Sequence, residues 1–182
     1  MAGLVGDHVA IHWSEGQVAS RIERSFPGSH AVVTISSSFY LPRLALSGSV
    51  QDVHAHVTNV TDGSLHIDTV DVTARDVKID RTALVQGRTR VNSLSTATIT
   101  ASLPLAEVAR ATGYGAVADL GGLATGLKAN VQAETGEVRV GIGPLTFTFP
   151  YNSLVPCVGS GEVAGEELIL SCTTHTVPAA LQ

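Results

Sequence analysis

The chain has 182 residues, of which 44% are hydrophobic and 4% aromatic, and it carries a formal net charge of −5. This length fits one domain with a substantial core, so we expect residues 1–182 to form a single domain. The acidic balance argues against a nucleic-acid partner, because nucleic-acid binding relies on clustered Lys and Arg side chains.

The first part of the chain predicts one helix and one strand. The helix covers residues 7–25 and is ended by Phe26-Pro27-Gly28. A strand follows over residues 31–36. Pro42 argues against a central strand in the next segment, Phe39 to Leu44, so an edge strand or a loop is predicted there. The imperfect apolar stripe of the helix consists of Val9, Ile11, Trp13, Val18 and Ile22.

Between Val50 and Leu105 the sequence alternates repeatedly between apolar and polar residues. Successive side chains of a strand point to opposite faces, so each such segment has one apolar face and one polar face. The pattern predicts a large antiparallel sheet with a continuous aliphatic side. Its apolar members are Val53, Ala55, Val57, Val70, Val72, Ala74, Ile99, Ala101 and Leu103.

Within this region Asp62-Gly63 predicts the turn of a β-hairpin. The strand pairs that follow from this turn are Val60 with Leu65, Ala55 with Val70, and Val53 with Val72. The parity of the apolar positions changes at the hairpin tip and again after Ala74. Bulges or strong twist would reconcile these changes, and because both curve a sheet, the sequence predicts a curved sheet.

The second half of the chain predicts a short helix and further strands. The segment Ser102 to Arg110 has the chemistry of a helix start, with Pro104 near the first turn and Gly113 as the stop. Residues 113–126 are rich in Gly and Ala, so we expect irregular structure there. The remaining predicted elements are strands over residues 129–133, 137–142 and 145–149 and a hairpin over residues 154–173.

The two cysteines, Cys157 and Cys172, lie in this predicted C-terminal hairpin. A disulfide between them would close a loop of about 16 residues and contribute about 3 kcal/mol. Disulfides persist in oxidising compartments, which favours an exported protein. Two buried free thiols are the alternative, because cysteine is often buried without pairing.

The N-terminus carries no signal peptide, since Met1 to Val5 lacks a basic region and a cleavable apolar core. No run of about 20 apolar residues is present to span a bilayer. For an exported protein we therefore expect a signal or membrane anchor upstream of Gly3, and an extracytoplasmic location.

Polar residues of the strands give no catalytic or metal site. His54 and His56 share a strand face, and the predicted register places Asp71 opposite His54, but no third ligand converges as zinc requires. A solvated strand face explains the carboxylates Asp68, Asp71, Asp76 and Asp80. No Gly-x-Ser-x-Gly elbow or phosphate loop occurs. We expect no enzyme activity, no metal and no cofactor.

Several segments, taken in their order along the chain, resemble one known family. They are residues 14–22, Phe39–Leu44, Val50–Ile79, Leu103–Val108, Val155-Pro156-Cys157 and Leu170-Ser171-Cys172. Over nearly the whole chain this order resembles the LmeA-like phospholipid-binding proteins of the actinobacterial cell envelope. The chain departs from the family at Phe39-Tyr40-Leu41-Pro42, where members tend to have a Phe-Pro-Phe-type stretch.

The resemblance implies a non-enzymatic protein that binds or transfers phospholipid, with a membrane surface as a second partner. It also implies an α+β fold similar to tubular lipid-binding (TULIP-like) proteins. In such a fold a strongly curved antiparallel sheet wraps one or two helices and leaves an apolar cavity. Aliphatic strand faces suit this use, because each CH₂ group removed from water is worth about 0.8 kcal/mol.

We therefore expect an aliphatic cavity wall and a mouth at which the headgroup stays in solvent. The predicted wall consists of Val53, Ala55, Val57, Val70, Val72, Ile99, Ala101, Leu103, Val108, Leu145, Phe147 and Phe149. The predicted mouth consists of Phe39, Tyr40, Leu41 and Arg43. Arg43 or another arginine is expected to meet the phosphate.

Three alternatives stay open on sequence alone. The wall residues suit an ordinary closed core, since aliphatic strand faces form the core of most proteins. The chain also suits a structural envelope module that binds protein partners through an exposed sheet edge. A glycan-processing enzyme is the weakest alternative, because aromatic residues are few and no carboxylate pair is evident.

Overall fold

The computed structural model describes residues 2–37, 40–62, 65–80, 82–83, 86, 90–113, 128–134, 137–142, 145–150 and 159–177. The helices in these ranges are α1 (Ala2–Ser25), α2 (Tyr40–Ser47) and α3 (Leu105–Thr112). The strands are β1 (His30–Ser36), β2 (Ser49–Asp62), β3 (Leu65–Ile79), β4 (Val91–Ser93), β5 (Thr96–Pro104), β6 (Lys128–Glu134), β7 (Glu137–Ile142), β8 (Leu145–Pro150), β9 (Gly159–Ala164) and β10 (Glu167–Thr174).

The strands form one antiparallel sheet in the order β1-β2-β3-β5-β10-β9-β6-β7-β8, and β4 pairs with β3. Burial alternates along β1 and β5, as the period-two pattern predicts. The large antiparallel sheet and the α+β class are therefore confirmed. The strands predicted over residues 129–133, 137–142 and 145–149 are also present, and β9 and β10 form the described part of the C-terminal hairpin. Residues 154–158 of that predicted hairpin lie outside the described residues.

Helix α3 shows that the sheet is curved. It contacts β3 and β5 and also β8, which lies six places from β3 in the strand order. In a flat sheet six strand spacings amount to about 29 Å, whereas a helix with its side chains is only about 10–12 Å across. One helix can reach both strands only if the sheet curls around it.

The β2–β3 hairpin has a different register from the predicted one. Asp62 pairs with Leu65, so residues 63–64 make the connection and the predicted turn at Asp62-Gly63 is wrong. The observed pairs include Val60 with Ile67, Val57 with Val70, Ala55 with Val72, and Val53 with Ala74. The shift is two residues, so every side chain keeps its face and the apolar pattern gives no warning of the error.

The changes in apolar parity coincide with two residues in left-handed conformation, Asn59 with φ 57° and Asp76 with φ 48°. Asn59 lies between Val57 and Val60, which are both buried. Asp76 lies in the same way between Ala74 and Val77, which are also buried. Short polar side chains tolerate this conformation, and one such residue turns the next apolar side chain back to the core face.

The helices differ from prediction at two places. Residues 40–47 form α2, so the prediction of an edge strand or loop at Phe39 to Leu44 is wrong for its described part. Pro42 is compatible with this helix because it lies in the first turn, where the backbone N–H has no intrahelical acceptor. Helix α1 begins at Ala2 rather than near residue 7.

The ends of the other helix agree with the sequence pattern. Pro104 precedes α3, and Gly113 ends it in left-handed conformation with φ 73°. The irregular segment predicted after Gly113 lies outside the described residues, as does Phe39.

Candidate functional site

The described part of the predicted wall lies on the concave face of the sheet, except Val108, which belongs to helix α3 and packs against that face. Val53 and Val72 are half-buried. Leu145, Phe147 and Phe149 belong to β8, where their backbones pair with Ile142, Val140 and Val138. The buried members are Ala55, Val57, Val70, Ile99, Ala101, Leu103 and Val108.

The concave face and the helices packed against it form three clusters of buried side chains. The central cluster contains Ala31, Val57, Val60, Ile67, Val70, Ile99, Ala101, Leu103, Leu105, Val108, Ala109, Val140, Ile142, Val163, Leu168, Leu170 and Cys172. The helix-side cluster contains Val33, Ile35, Tyr40, Leu44, Val50 and Ala55. The β4-side cluster contains Ala74, Val77, Leu94 and Ala97.

Half-buried residues join these clusters into one aliphatic layer. Val72 packs against both the central and the helix-side clusters, as do Ala19 and Ile22 of α1. Val53 and Ile79 pack against both the helix-side and the β4-side clusters. The layer is therefore continuous from α3 to β4.

Helix α1 covers the helix-side cluster and is attached to the edge strand β1 by two carboxylates. Glu15 Oε1 accepts the Ile35 N–H at 2.8 Å, and Glu23 Oε1 accepts the Ala31 N–H at 3.0 Å. Residues 15 to 23 of a helix span about 12 Å and residues 31 to 35 of a strand about 13 Å, so the two spacings match. The helix thus covers an edge that would otherwise present free N–H groups.

The predicted mouth residues lie at this covered side. Tyr40 is 2% exposed, and its hydroxyl donates to Ser14 Oγ at 2.8 Å. Burial raises the pKa of Tyr40, and the Ser14 hydrogen bond partly offsets that rise. Arg43 is half-buried, with Nε 3.4 Å from Ser49 Oγ and Nη2 3.9 Å from Asp76 Oδ1. Phe39 and the side chain of Leu41 lie outside the described residues.

An open groove lies beside β4 at the other side of the layer. Its volume is about 420 Å³. Val91 and Val177 also pack against the β4-side cluster, so the groove borders the aliphatic layer. The lining residues are Arg90, Val91, Asn92, Ser93, His175, Thr176 and Val177.

The outer face of the sheet carries the predicted polar residues, in a different pairing. Asp71 lies opposite His56, with its Oδ1 2.7 Å from His56 Nδ1, so the predicted placement of Asp71 opposite His54 is wrong. The two-residue shift of the hairpin is the reason. His54 instead lies 3.1 Å from the Thr73 hydroxyl. In the described ranges no group of three or more His, Cys, Asp or Glu residues comes together.

The predicted carboxylates do not form a catalytic pair in the described part of the chain. Asp71 and Asp76 are exposed, and Asp68 is half-buried beside His66 at 3.5 Å. Asp80 Oδ1 accepts the N–H groups of Thr82 and Ala83 at 2.9 and 3.2 Å, which makes it a local cap.

Cys172 lies buried in β10, opposite Ile99 of β5 and Gly159 of β9. A Cβ atom at Gly159 would come within 2.7 Å of Cys172 Cβ, so glycine is needed for this close approach. Cys157 lies outside the described residues, and the bridge between the two cysteines stays a prediction. No cysteine is free in the part of the chain that the structure describes.

Two features of the structure were not predicted from the sequence: the contacts of Glu15 and Glu23 with β1, and the groove that contains Arg90 and His175. Glu15 and Glu23 have the spacing of an ordinary solvated helix, and only the adjacent strand edge gives them a structural role. Arg90 and His175 lie far apart in sequence and belong to no motif, so no local signal could have brought them together.

Comparison with known proteins gives one match. A family model described as LmeA-like phospholipid-binding matches residues 5–168. Neither the curated proteins nor the solved structures give a match. Among the described residues, no helix is both long and apolar enough to cross a membrane.

Proposed function

The chain belongs to the LmeA-like phospholipid-binding family, and from this premise we propose that it carries intact phospholipid with the acyl chains against the aliphatic layer. The proposal covers binding and transfer without chemical change to the lipid. The layer would form the wall of a TULIP-like cavity, and the headgroup would stay at the solvent boundary. The observation that carries the proposal is the continuity of the layer across three clusters of the concave face.

The dimensions of the layer suit an acyl chain. Ala97 to Leu103 of β5 covers six residue steps, or about 20 Å along the strand. One leaflet of the hydrocarbon core of a bilayer is about 15 Å thick, since the whole core measures about 30 Å. A chain laid along β5 would therefore find apolar contacts over its full length.

The chemistry of the layer supports holding a lipid rather than converting it. Thr174 and the Tyr40 hydroxyl are the polar groups among the buried side chains of the described ranges, and the other buried side chains there are hydrophobic. Hydrolysis or group transfer needs convergent polar groups with perturbed protonation, and the described face offers none. We therefore propose a non-enzymatic role.

We propose that this role lies outside the cytoplasmic membrane, in the cell envelope. The predicted disulfide between Cys157 and Cys172 supports that location, because such bridges persist in oxidising compartments. Thiol titration of the denatured, unreduced protein should find no free thiol. Two reactive thiols would contradict the oxidised state on which the location depends.

A scaffolding function through the β1 edge gains no support from the geometry. Helix α1 occupies that edge, and Glu15 and Glu23 accept two of its N–H groups. A partner strand would have to displace the helix before it could pair with β1.

The experiment is lipid uptake from vesicles. The purified protein is incubated with phosphatidylglycerol vesicles, separated from them by gel filtration, extracted with organic solvent and assayed by mass spectrometry. We expect bound phospholipid at near one molecule per chain. Lipid-free protein after this treatment would contradict the proposal.

Two variants on one strand locate the binding face. Val72→Trp places a large ring in the aliphatic layer and should remove most of the uptake. Thr73→Trp is the matched control, because Thr73 contacts His54 on the outer face, and it should load like the wild type. Circular dichroism confirms that both variants fold. Equal loading of the two variants would contradict binding at the layer.

A further inference from the structure

We infer that the groove beside β4 is an anion site for the phosphate group of a phospholipid headgroup. This inference deepens the proposed function and rests on it. It also moves the expected contact for the phosphate from Arg43 to Arg90. Inorganic phosphate and soluble phosphate esters share the same chemistry, and the experiment below separates these sources.

The first observation is the set of side chains that line the groove. Arg90 is exposed, and Asn92 and Ser93 add an amide and a hydroxyl. Thr176 also lines the groove, with its hydroxyl 2.8 Å from Thr174 Oγ1. No described lining residue is a carboxylate, although the chain has a net charge of −5. A guanidinium with neutral donors around it is the arrangement that recognises phosphate oxygens.

The second observation is the fixed imidazole of His175. Its Nδ1 lies 2.6 Å from the Ser95 carbonyl oxygen, which can only accept, so Nδ1 carries the hydrogen. The ring is thereby held in one orientation, and its Nε2 makes no hydrogen bond within the described chain. That nitrogen is available to a ligand hydroxyl.

The third observation concerns the charges near the groove. Asp80 lies next to the groove, because its backbone N–H donates to the Arg90 carbonyl at 2.8 Å. Its carboxylate, however, accepts the N–H groups of Thr82 and Ala83. Lys78 pairs with Ser93 across the β3–β4 ladder, so its side chain leaves the sheet on the same face as Ser93. The local charge balance therefore favours an anion.

Arg43 offers a direct comparison. Its guanidinium lies beside Asp76 and Ser49, and its side chain is 36% exposed. In contrast, no carboxylate pairs with Arg90 in the described ranges. Of these two arginines, Arg90 is the one available to an incoming phosphate.

The groove lies next to the aliphatic layer that we propose for the acyl chains. Val91 and Val177 line the groove and also pack against the β4-side cluster. A phosphate held by Arg90 would thus lie where the polar surface meets the aliphatic layer. The groove volume of about 420 Å³ falls in the range of about 300–1,000 Å³ that is usual for ligand sites.

The test measures binding of soluble phosphate and uptake of lipid by the same full-length variants. Glycerol 3-phosphate and inorganic phosphate are titrated calorimetrically into wild type, Arg90→Gln and Arg43→Gln. We expect Arg90→Gln to weaken binding about tenfold or more, because a charge-assisted hydrogen bond is lost. Arg43→Gln should bind like the wild type, and Arg90→Lys should give an intermediate loss.

The lipid arm uses vesicles of phosphatidylglycerol and, separately, diacylglycerol dispersed in a nonionic detergent, so that the second preparation contains no phosphate. Arg90→Gln should reduce phosphatidylglycerol uptake about tenfold and leave diacylglycerol uptake unchanged. Equal phosphate and phosphatidylglycerol binding by Arg90→Gln and wild type would overturn the inference. Weaker phosphate binding with unchanged lipid uptake would overturn the headgroup assignment.

Failure of the proposed function gives a different result. In that case neither wild type nor any variant would take up phosphatidylglycerol or diacylglycerol, whatever the calorimetry shows. Uptake of diacylglycerol by both wild type and Arg90→Gln would support the proposed function. The difference in phosphatidylglycerol uptake between these two proteins would then test whether the groove binds the phosphate.

Discussion

The helix-side and β4-side clusters belong to one aliphatic layer but differ in what covers them. Helices α1 and α2 cover the helix-side cluster, and the polar groups there bond to one another: Glu15 to the Ile35 N–H and Tyr40 to Ser14. The β4-side cluster lies under an open groove, where Arg90 has no carboxylate partner in the described chain. Polar groups on the first side stabilise the fold, whereas those on the second are available to a ligand.

This difference predicts that substitutions on the two sides change different properties of the protein. On the helix side, variants should lower stability because internal bonds and packing are lost. On the β4 side, variants should leave stability nearly unchanged and alter ligand binding. Four variants test this contrast, beginning with the largest expected effect.

Leu44→Ala should lower the free energy of unfolding by about 2–5 kcal/mol, because the Leu44 side chain of α2 is buried in the helix-side cluster and its loss leaves a cavity. Val91→Ala on the β4 side is the matched control, and we expect less than about 1.5 kcal/mol because Val91 is half-buried. Urea denaturation measures both. Equal losses for the two variants would remove the contrast.

Glu15→Ala should cost about 1–3 kcal/mol, because the Ile35 N–H loses its acceptor beside a helix that shields it from water. Glu15→Gln keeps an oxygen acceptor and should cost less. Hydrogen exchange at the Ile35 amide provides a local measurement, and exchange there should accelerate in Glu15→Ala. Unchanged exchange would show that the carboxylate does not hold α1 to β1.

Tyr40→Phe should cost about 0.5–1.5 kcal/mol through loss of the hydrogen bond to Ser14. The raised pKa of Tyr40 adds a pH dependence. Above the ordinary tyrosine pKa of about 10, the unfolded chain loses the phenolic proton while the folded chain retains it, so stability falls as the pH rises. Tyr40→Phe should remove that part of the alkaline decline, and an identical decline in both proteins would contradict it.

Arg90→Gln should change the free energy of unfolding by less than about 0.5 kcal/mol, because Arg90 is exposed and lacks an ion-pair partner in the described ranges. The same variant is expected to lose phosphate binding. Thermal denaturation without ligand checks the stability. A loss comparable to that of Glu15→Ala would show that the groove is a structural element.

The sequence pattern predicted the sheet because burial follows the simple period of a strand. Ile99, Ala101 and Leu103 alternate with polar residues, and all three are buried as expected. The register of the β2–β3 hairpin was not predictable in the same way. The predicted pairing of Val60 with Leu65 and the observed pairing of Asp62 with Leu65 preserve the same faces, so parity does not distinguish them.

The remaining differences arise from contacts between distant segments. Pro42 is compatible both with an edge strand and with the first turn of a helix. In the structure the segment is helical, and this helix, α2, packs against α1 and β2. The groove forms because β4 and the residues after β10 meet in space. The family resemblance is confirmed by the family model over residues 5–168. The expected phosphate contact, Arg43 or another arginine, stays a prediction, and the groove favours Arg90.

The location of bound acyl chains is tested most directly by photo-crosslinking. A phosphatidylglycerol with a diazirine near the end of one acyl chain is loaded into the protein and irradiated, and the adducts are mapped by fragmentation mass spectrometry. We predict adducts at inward-facing residues such as Val72 and Ile99. Adducts at their outward-facing neighbours Thr73 and Thr100 instead would contradict binding at the aliphatic layer.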